Sequence, residues 1–183
     1  MLRARIPWEF ALDFMLGESL EGKTLAIVGP GRIGQATAQR ASAFGANVVY
    51  AGRTDPLDEI ISTADVVSIH APLTEATFHL FDASRIASMK PTAVLVNTSR
   101  GPLVDEEALA DALERGTIAG AALDVFEHEP AVNERLLHFD NVVLTPHLGS
   151  ATIDTREAMG FLAVRSLREF LIEGRMPATR VTA

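Results

Sequence analysis

The stretch TLAIVGPGRIG, residues 24–34, determines the fold predicted for this 183-residue chain. The apolar run TLAIV is typical of a buried strand, and it leads directly into the pattern G-x-G-x-x-G at residues 29–34. Because glycine-rich turns are common, the pattern is informative only with a strand before it and a helix after it. Residues 32–45 have helical spacing and end at Gly45, a residue type that often terminates helices.

In such a strand–turn–helix unit, each glycine has a separate role. Gly29 would form the tight turn, Gly31 would let the backbone approach a pyrophosphate, and Gly34 would let helix and strand pack closely. The phosphates would lie at the helix N-terminus, where free N–H groups and the helix dipole favour anions. A glycine turn without a ligand is the alternative, and it fits this placement less well.

The rest of the chain alternates between short β-rich runs and helical segments. The predicted strands are residues 24–29, 47–51, 65–70, 92–98, 117–125 and 141–146. The predicted helices are residues 32–45, 56–64, 105–116 and 152–173, with shorter helical fragments before residue 89. This alternation predicts an α/β fold, a doubly wound parallel sheet of the Rossmann type with six strands and helices on both faces.

Composition and charge restrict the classes of function. A net charge of −8, without any Lys/Arg-rich run, argues against nucleic-acid binding. The absence of cysteine excludes disulfides and thiolate metal sites, and we expect no metal. The apolar stretches are too short to span a bilayer, and Glu9 and Asp13 interrupt any signal-peptide core. We therefore expect a soluble, cytoplasmic protein that binds neither nucleic acid nor membranes.

The end of the second predicted strand indicates which dinucleotide is bound. An acidic residue that binds the ribose 2′-hydroxyl is expected there, but this chain has Gly52, Arg53 and Thr54. Arg53 with the neighbouring hydroxyl of Thr54 suits a 2′-phosphate, which favours NADP. In the alternative, Arg53 is a solvated surface residue and Asp55 reaches the ribose, which leaves NAD possible.

Three chemically active residues follow predicted strands: Arg100 after the fourth, Glu129 after the fifth and His147 after the sixth. Since ligands bind outside the carboxyl ends of parallel strands, we expect all three at one edge of the sheet. Together they suit reduction of a 2-keto acid. The arginine would hold the carboxylate and polarise the carbonyl, the histidine would act as acid–base, and the glutamate would hydrogen-bond the histidine. Taken singly, they would more readily be interpreted as a loop cation, a cap and a structural histidine, and it is their shared placement at strand ends that favours catalysis.

Five blocks in order resemble the D-isomer-specific 2-hydroxyacid dehydrogenase family, and the match extends over almost the whole chain from Leu20. The blocks are GPGRIG (29–34), HAPLTEAT (70–77), VNTSRGPLVDEEAL (96–109), ALDVFEHEP (122–130) and NVVLTPHLGSAT (141–152). The resemblance implies that Arg100, Glu129 and His147 are catalytic and that Asp124 binds the nicotinamide carboxamide. It also implies a set of residues lining the cofactor cleft: Arg32, Ile33, His70, Pro72 and Thr98.

The resemblance further implies a substrate class and an assembly. The strand ending Gly52-Arg53-Thr54 is similar to the glyoxylate/hydroxypyruvate reductase branch, which prefers NADP; most NAD-using relatives carry Asp in place of Gly52. Relatives dimerise largely through the cofactor domain, so we expect a homodimer. Two function classes remain: an oxidoreductase acting on a small 2-keto/2-hydroxy acid, or a catalytically silent nucleotide-sensing module.

The chain departs from the family pattern in its domain organisation. Residues 1–19 resemble a connecting helix and its run-in, residues 20–150 the dinucleotide-binding domain, and residues 151–183 a C-terminal helix and tail that would return to a substrate domain. We expect nearly the whole substrate domain to be missing, through a trimmed fragment, a misplaced start or a natural truncation. The apolar residues of the C-terminal helix are expected either to lie exposed for a partner or to pack on the remaining sheet.

Overall fold

The computed structural model describes residue 12 and residues 16–181. Most of the predicted connecting helix, residues 1–19, lies outside this part, and residues 16–20 have no regular secondary structure. The division into a connecting segment, a dinucleotide-binding domain and a returning C-terminal segment therefore stays a prediction.

Six parallel strands form one sheet in the order β2-β1-β3-β4-β5-β6. The strands are β1 (Thr24–Val28), β2 (Asn47–Ala51), β3 (Val66–Ile69), β4 (Val94–Asn97), β5 (Gly120–Leu123) and β6 (Val142–Leu144). After β2, the chain crosses to β3 on the other side of β1, so the direction of winding reverses between β1 and β3. In doubly wound sheets a crevice opens outside the strands at this reversal, and ligands bind there.

Helices cover both faces of the sheet, as predicted, and only the last of the helices named next packs on neither face. They are α1 (Arg32–Ala43), α2 (Leu57–Thr63), α3 (Ala83–Ala87), α4 (Glu106–Glu114) and α5 (Ile153–Leu171). On one face, α1 packs Ala38 and Ala41 against Leu25 and Ile27 of β1. On the other face, a larger cluster collects the buried side chains of the α2, α3 and α4 helices, Ile61, Ile86 and Leu109 among them. These findings confirm the doubly wound α/β fold.

Glycines end two helices and account for one difference from the predicted strands. Gly45 has φ = 82° and follows α1, as its residue type predicted. Gly116 has φ = 66°, and Thr117 N–H donates back to Ala112 O at 2.8 Å, so the chain is still closing α4 here. The predicted strand 117–125 is therefore too long, and β5 begins only at Gly120.

The last helix, α5, contains no buried residue. Its large apolar side chains are exposed by 41–77%: Ile153, Met159, Phe161, Leu162, Val164, Leu167, Phe170 and Leu171. Of the two arrangements expected from the sequence, packing on the sheet is therefore wrong. None of the helices in residues 16–181 is long and apolar enough to cross a membrane.

Candidate active site

The glycine loop lies at the β1/β3 crevice in a conformation that depends on two of its glycines. Gly29 has φ = 95°, and a Cβ there would come within 2.6 Å of Ala71 N, just after β3. A Cβ on Gly34 would overlap the carbonyl oxygen of Gly29. Larger residues at either position would therefore separate the loop, α1 and β3 from one another.

Gly31, by contrast, has open space where a Cβ would be and is the N-cap of α1. No side chain caps this helix, and its first turn carries no acidic residue. The first amides of a helix lack partners within it, so this end of α1 offers N–H groups to an anion. A cleft of about 680 Å³ opens here, lined by Gly31, Arg32, Ile33, Ala36, Thr37, Arg40 and His70. The residues present therefore fit a dinucleotide pyrophosphate.

The turn after β2 carries two opposite charges, Arg53 and Asp55. Arg53 and Thr54 are exposed in the turn that follows the strand. Asp55 folds back on the same turn, where its Oδ2 accepts a hydrogen bond from Gly52 N–H at 2.7 Å. An Asp55 oxygen and a ring carbon of Pro30 lie 3.2 and 3.8 Å from where a Gly52 Cβ would stand. The Asp55 carboxylate therefore lies beside the glycine loop. Asp55 follows Gly52, the usual position of the acidic residue, by three residues.

Glu129 and His147 are brought together at the carboxyl ends of β5 and β6. His147 Nδ1 lies 2.8 Å from Glu129 Oε2, and Glu129 Oε1 accepts a hydrogen bond from Phe126 N–H at 3.0 Å. The hydrogen bond with His147, followed by that from Phe126 N–H, holds the pKa of Glu129 below its ordinary value, and the charge of Arg100 contributes. Because Nδ1 faces the carboxylate, Nε2 is the nitrogen left for a substrate.

The turn carrying His147 is held by Asp124, the first residue after β5. Asp124 Oδ1 accepts hydrogen bonds from Thr145 Oγ1 at 2.6 Å and Leu148 N–H at 2.7 Å, and Oδ2 accepts one from Gly149 N–H at 2.9 Å. Burial opposes the ionisation of Asp124, but these hydrogen bonds outweigh it and lower its pKa. They support the left-handed backbone of His147, which has φ = 52°.

Arg100 lies on the neighbouring turn, after β4. Its exposed guanidinium donates to Ser99 O at 2.6 Å, and its own carbonyl accepts from Asn97 Nδ2 at 2.9 Å. Asn97 is 1% exposed, and its backbone carbonyl also accepts from Asp124 N–H at 3.0 Å. Asn97 therefore links the turn of Arg100 to β5.

The remaining residues implied by the resemblance lie along the same edge. His70 directly follows β3, its Nε2 lies 3.0 Å from Ser68 Oγ, and burial lowers its pKa. Pro72 and Thr98 are exposed after β3 and β4. Two further residues of this edge, Asn97 and Thr145, are not among the candidates that the sequence predicts. Each is a polar residue at the end of an apolar strand, within a block that resembles the family, and this pattern could have identified it.

The fold and this edge define a dinucleotide-binding domain that carries arginine, glutamate and histidine beside its cofactor cleft. The family model "D-isomer specific 2-hydroxyacid dehydrogenase, NAD binding domain" matches residues 5–149, and the chain belongs to this family.

Curated and solved relatives agree with this assignment. A glyoxylate reductase of Pyrococcus furiosus is 48% identical, over 98% of this chain and 56% of the relative. A crystal structure of a Thermus thermophilus protein has 46% identity and a TM-score of 0.92, covering 99% of this chain and 60% of that one. The NADPH-dependent glyoxylate/hydroxypyruvate reductase of Sinorhizobium meliloti, in complex with NADP and malonate, has 40% identity and a TM-score of 0.83, covering 90% and 57%. The chain thus spans little more than half of each relative.

Proposed function

We propose that this chain supplies the cofactor-binding and acid–base half of an oxidoreductase that transfers a hydride between NADP(H) and a small 2-keto or 2-hydroxy acid. The observation that carries the proposal is the 2.8 Å contact between His147 and Glu129, at the sheet edge that also bears the glycine loop. A proton donor with an anionic partner, beside an anion-binding helix end, suits carbonyl reduction. Glyoxylate and hydroxypyruvate are the proposed substrates, because relatives bear those names.

In the proposed reaction, each residue acts at a stated atom. The Arg100 guanidinium holds the substrate carboxylate and polarises the keto oxygen. His147 gives the proton on Nε2 to that oxygen, while Glu129 holds Nδ1 and balances the charge of the imidazolium. When bound, NADPH supplies the hydride that reduces the keto carbon. In the oxidation direction, His147 takes the hydroxyl proton back.

The preference for NADP rests on charge at the end of β2. Arg53 and Thr54 supply a cation and a hydroxyl for a 2′-phosphate, and the NADP-bound Sinorhizobium relative supports this choice. The Asp55 carboxylate favours NAD instead, since it would repel a phosphate and can bind a ribose hydroxyl. We propose that Arg53 prevails, because Asp55 is already engaged by the amide of Gly52.

The test uses the chain joined to the parts of the Thermus relative that lie outside the match, assayed with NADPH and glyoxylate or hydroxypyruvate. His147→Ala should lower kcat by a factor of about 10²–10⁴, the usual contribution of acid–base catalysis, and leave the cofactor Kd unchanged. The control is His138→Ala, an exposed histidine on the turn before β6. Wild-type turnover in the His147 variant would refute the acid–base role. Cofactor binding without turnover in the wild type would favour a nucleotide-sensing module.

A further inference from the structure

Two successive backbone amides in the 126–129 loop donate to two different carboxylates. Phe126 N–H donates to Glu129 Oε1 at 3.0 Å, so this amide helps to hold the glutamate that faces His147. The next amide, Glu127 N–H, donates to Glu106 Oε1 at 2.7 Å. The orientation of the peptide joining residues 126 and 127 therefore depends on Glu106, which no part of the proposed reaction uses.

Glu106 is unusual for an acidic residue in the first turn of a helix. The residue is 6% exposed, and burial raises the pKa of its carboxyl group. Its own N–H is directed back at Glu127 Oε2, at 3.4 Å, so the two glutamates bond each other's amides. Its neighbour Glu107 is instead 71% exposed and pairs with Arg135. A favourable interaction with the helix dipole explains an acidic residue at position 107. It does not explain why the side chain of Glu106 is buried.

Two further contacts fix the loop against the Arg100 turn. A Cβ on Gly101 would overlap the carbonyl group of Phe126, so the backbone of the loop lies directly on the residue after Arg100. Glu127 Oε1 also lies 2.7 Å from His79 Nε2, and His79 N–H donates to Pro102 O at 2.8 Å. The start of α4, the 101–103 turn and the 126–129 loop thus pack as one unit.

We propose that Glu106 is a positioning residue. By accepting a hydrogen bond from Glu127 N–H, it orients the peptide that joins residues 126 and 127. That orientation directs the preceding amide, Phe126 N–H, at Glu129 and so keeps the Glu129 carboxylate on His147. Its importance for catalysis rests on the proposed function. Its effect on Glu129 does not, and can be measured without cofactor or substrate.

The experiment follows amide hydrogen exchange and the Glu129 carboxyl titration by NMR in the 183-residue chain. Glu106→Ala should speed exchange at Phe126 and Glu127 about tenfold, the equivalent of one hydrogen bond. The amide of Leu95 in the centre of β4 reports any general loss of stability. The pKa of Glu129 should move up toward its ordinary value as the Phe126 hydrogen bond weakens.

Three matched variants separate positioning from simple destabilisation. Glu106→Gln keeps an acceptor oxygen in reach and should leave Phe126 exchange and the Glu129 titration as in the wild type. Glu106→Asp keeps the charge but is one methylene shorter, so it should behave like Glu106→Ala; if the alanine variant does not fold, the Asp and Gln variants decide. Glu107→Ala, at the next position, should move neither readout.

An unchanged Phe126 amide and Glu129 titration in the Ala or Asp variant would overturn the proposal, as would a Gln variant that behaves like Asp. Loss of the reductase activity proposed above would leave these readouts unaltered, so the two failures are distinguishable.

Discussion

At the scale of single residues, Asp124 combines the cofactor contact that the resemblance implies with a structural task. The residue is 7% exposed, and its carboxylate accepts hydrogen bonds from one hydroxyl and two backbone amides of the turn that carries His147. The resemblance assigns it to the nicotinamide carboxamide. Three donors already bind the Asp124 carboxylate, so its main effect is to hold the turn that carries His147. A contact with a ligand would come in addition to these hydrogen bonds.

Asp124→Asn should lower the free energy of unfolding by about 1–3 kcal/mol at pH 7, because an amide cannot accept from all three donors. The folded-state pKa of Asp124 is lowered, so its stabilisation is present above the unfolded pKa of about 3.9 and is lost as pH falls through the folded value. Urea unfolding should therefore show a difference between wild type and variant that is full at pH 7 and shrinks below about pH 4. Asp140→Asn, at an exposed position before β6, is the control. A difference independent of pH would contradict the argument.

The charges after β2 give a second prediction at this scale. Arg53→Ala should weaken NADPH binding roughly tenfold to a hundredfold, the equivalent of about 1.5–3 kcal/mol for a charge-assisted contact, and leave NADH binding nearly unchanged. Asp55→Asn should have the opposite effect and increase the preference for NADPH. Fluorescence titration of each variant with both cofactors measures this. A wild-type preference for NADH that Asp55→Asn abolishes would assign the ribose to Asp55.

The sequence predicts where the site residues lie in the sheet better than it predicts which atoms they contact. Arg100, Glu129 and His147 could be placed at strand ends because apolar strands are recognisable and parallel strands share an edge. The return of Asp55 to the amide of Gly52 depends on the turn geometry after β2. The burial of Glu106 depends on a loop 21 residues away. Neither contact leaves a periodic signal, so neither was predictable in the same way.

At the scale of elements, α4 and α5 have similar start signals and very different packing. Asp105 caps α4 through Ala108 N–H at 3.0 Å, and Thr152 caps α5 through Thr155 N–H at 3.2 Å. The α4 helix buries Leu109, Ala110 and Leu113, among others, whereas α5 buries nothing. The sequence predicted both helices, because caps and spacing are local. It left open whether α5 would pack, because that depends on what faces it.

The two caps should therefore differ in their effect on stability. Asp105→Ala should lower the global free energy of unfolding by about 1 kcal/mol, the usual cost of a lost cap, because α4 is part of the core. Thr152→Ala should reduce the helix content of α5 but leave the global transition where it is. Urea unfolding monitored by near-ultraviolet circular dichroism, together with hydrogen exchange in α5, measures both effects. An equal shift of the global transition in the two variants would mean that α5 unfolds with the core.

At the scale of the whole molecule, the described residues form the six-stranded sheet and one side of the cofactor cleft. The six strands, the glycine loop and the Glu129–His147 pair all lie within these residues. The surface beside them is open: Arg100 is exposed, and the His147 side chain is 51% exposed. Relatives are nearly twice as long as the part matched, and the resemblance assigns their additional length to a domain that closes over the cleft.

The 183-residue chain alone should therefore fold and bind cofactor, yet turn over slowly or not at all. Without a second wall, water reaches the keto acid, contacts to Arg100 weaken in a high dielectric, and nothing enforces the alignment of the keto carbon with the nicotinamide. Positioning can supply about 7–11 kcal/mol of barrier lowering, so partial loss should cost several orders of magnitude in kcat/KM. Steady-state kinetics would compare the chain with its fusion to the Thermus segments, using NADPH and glyoxylate or hydroxypyruvate. If the short chain came within tenfold of the fusion, a second copy or a rearranged α5 would have to close the site, and the exposed apolar face of that helix would be the first place to look.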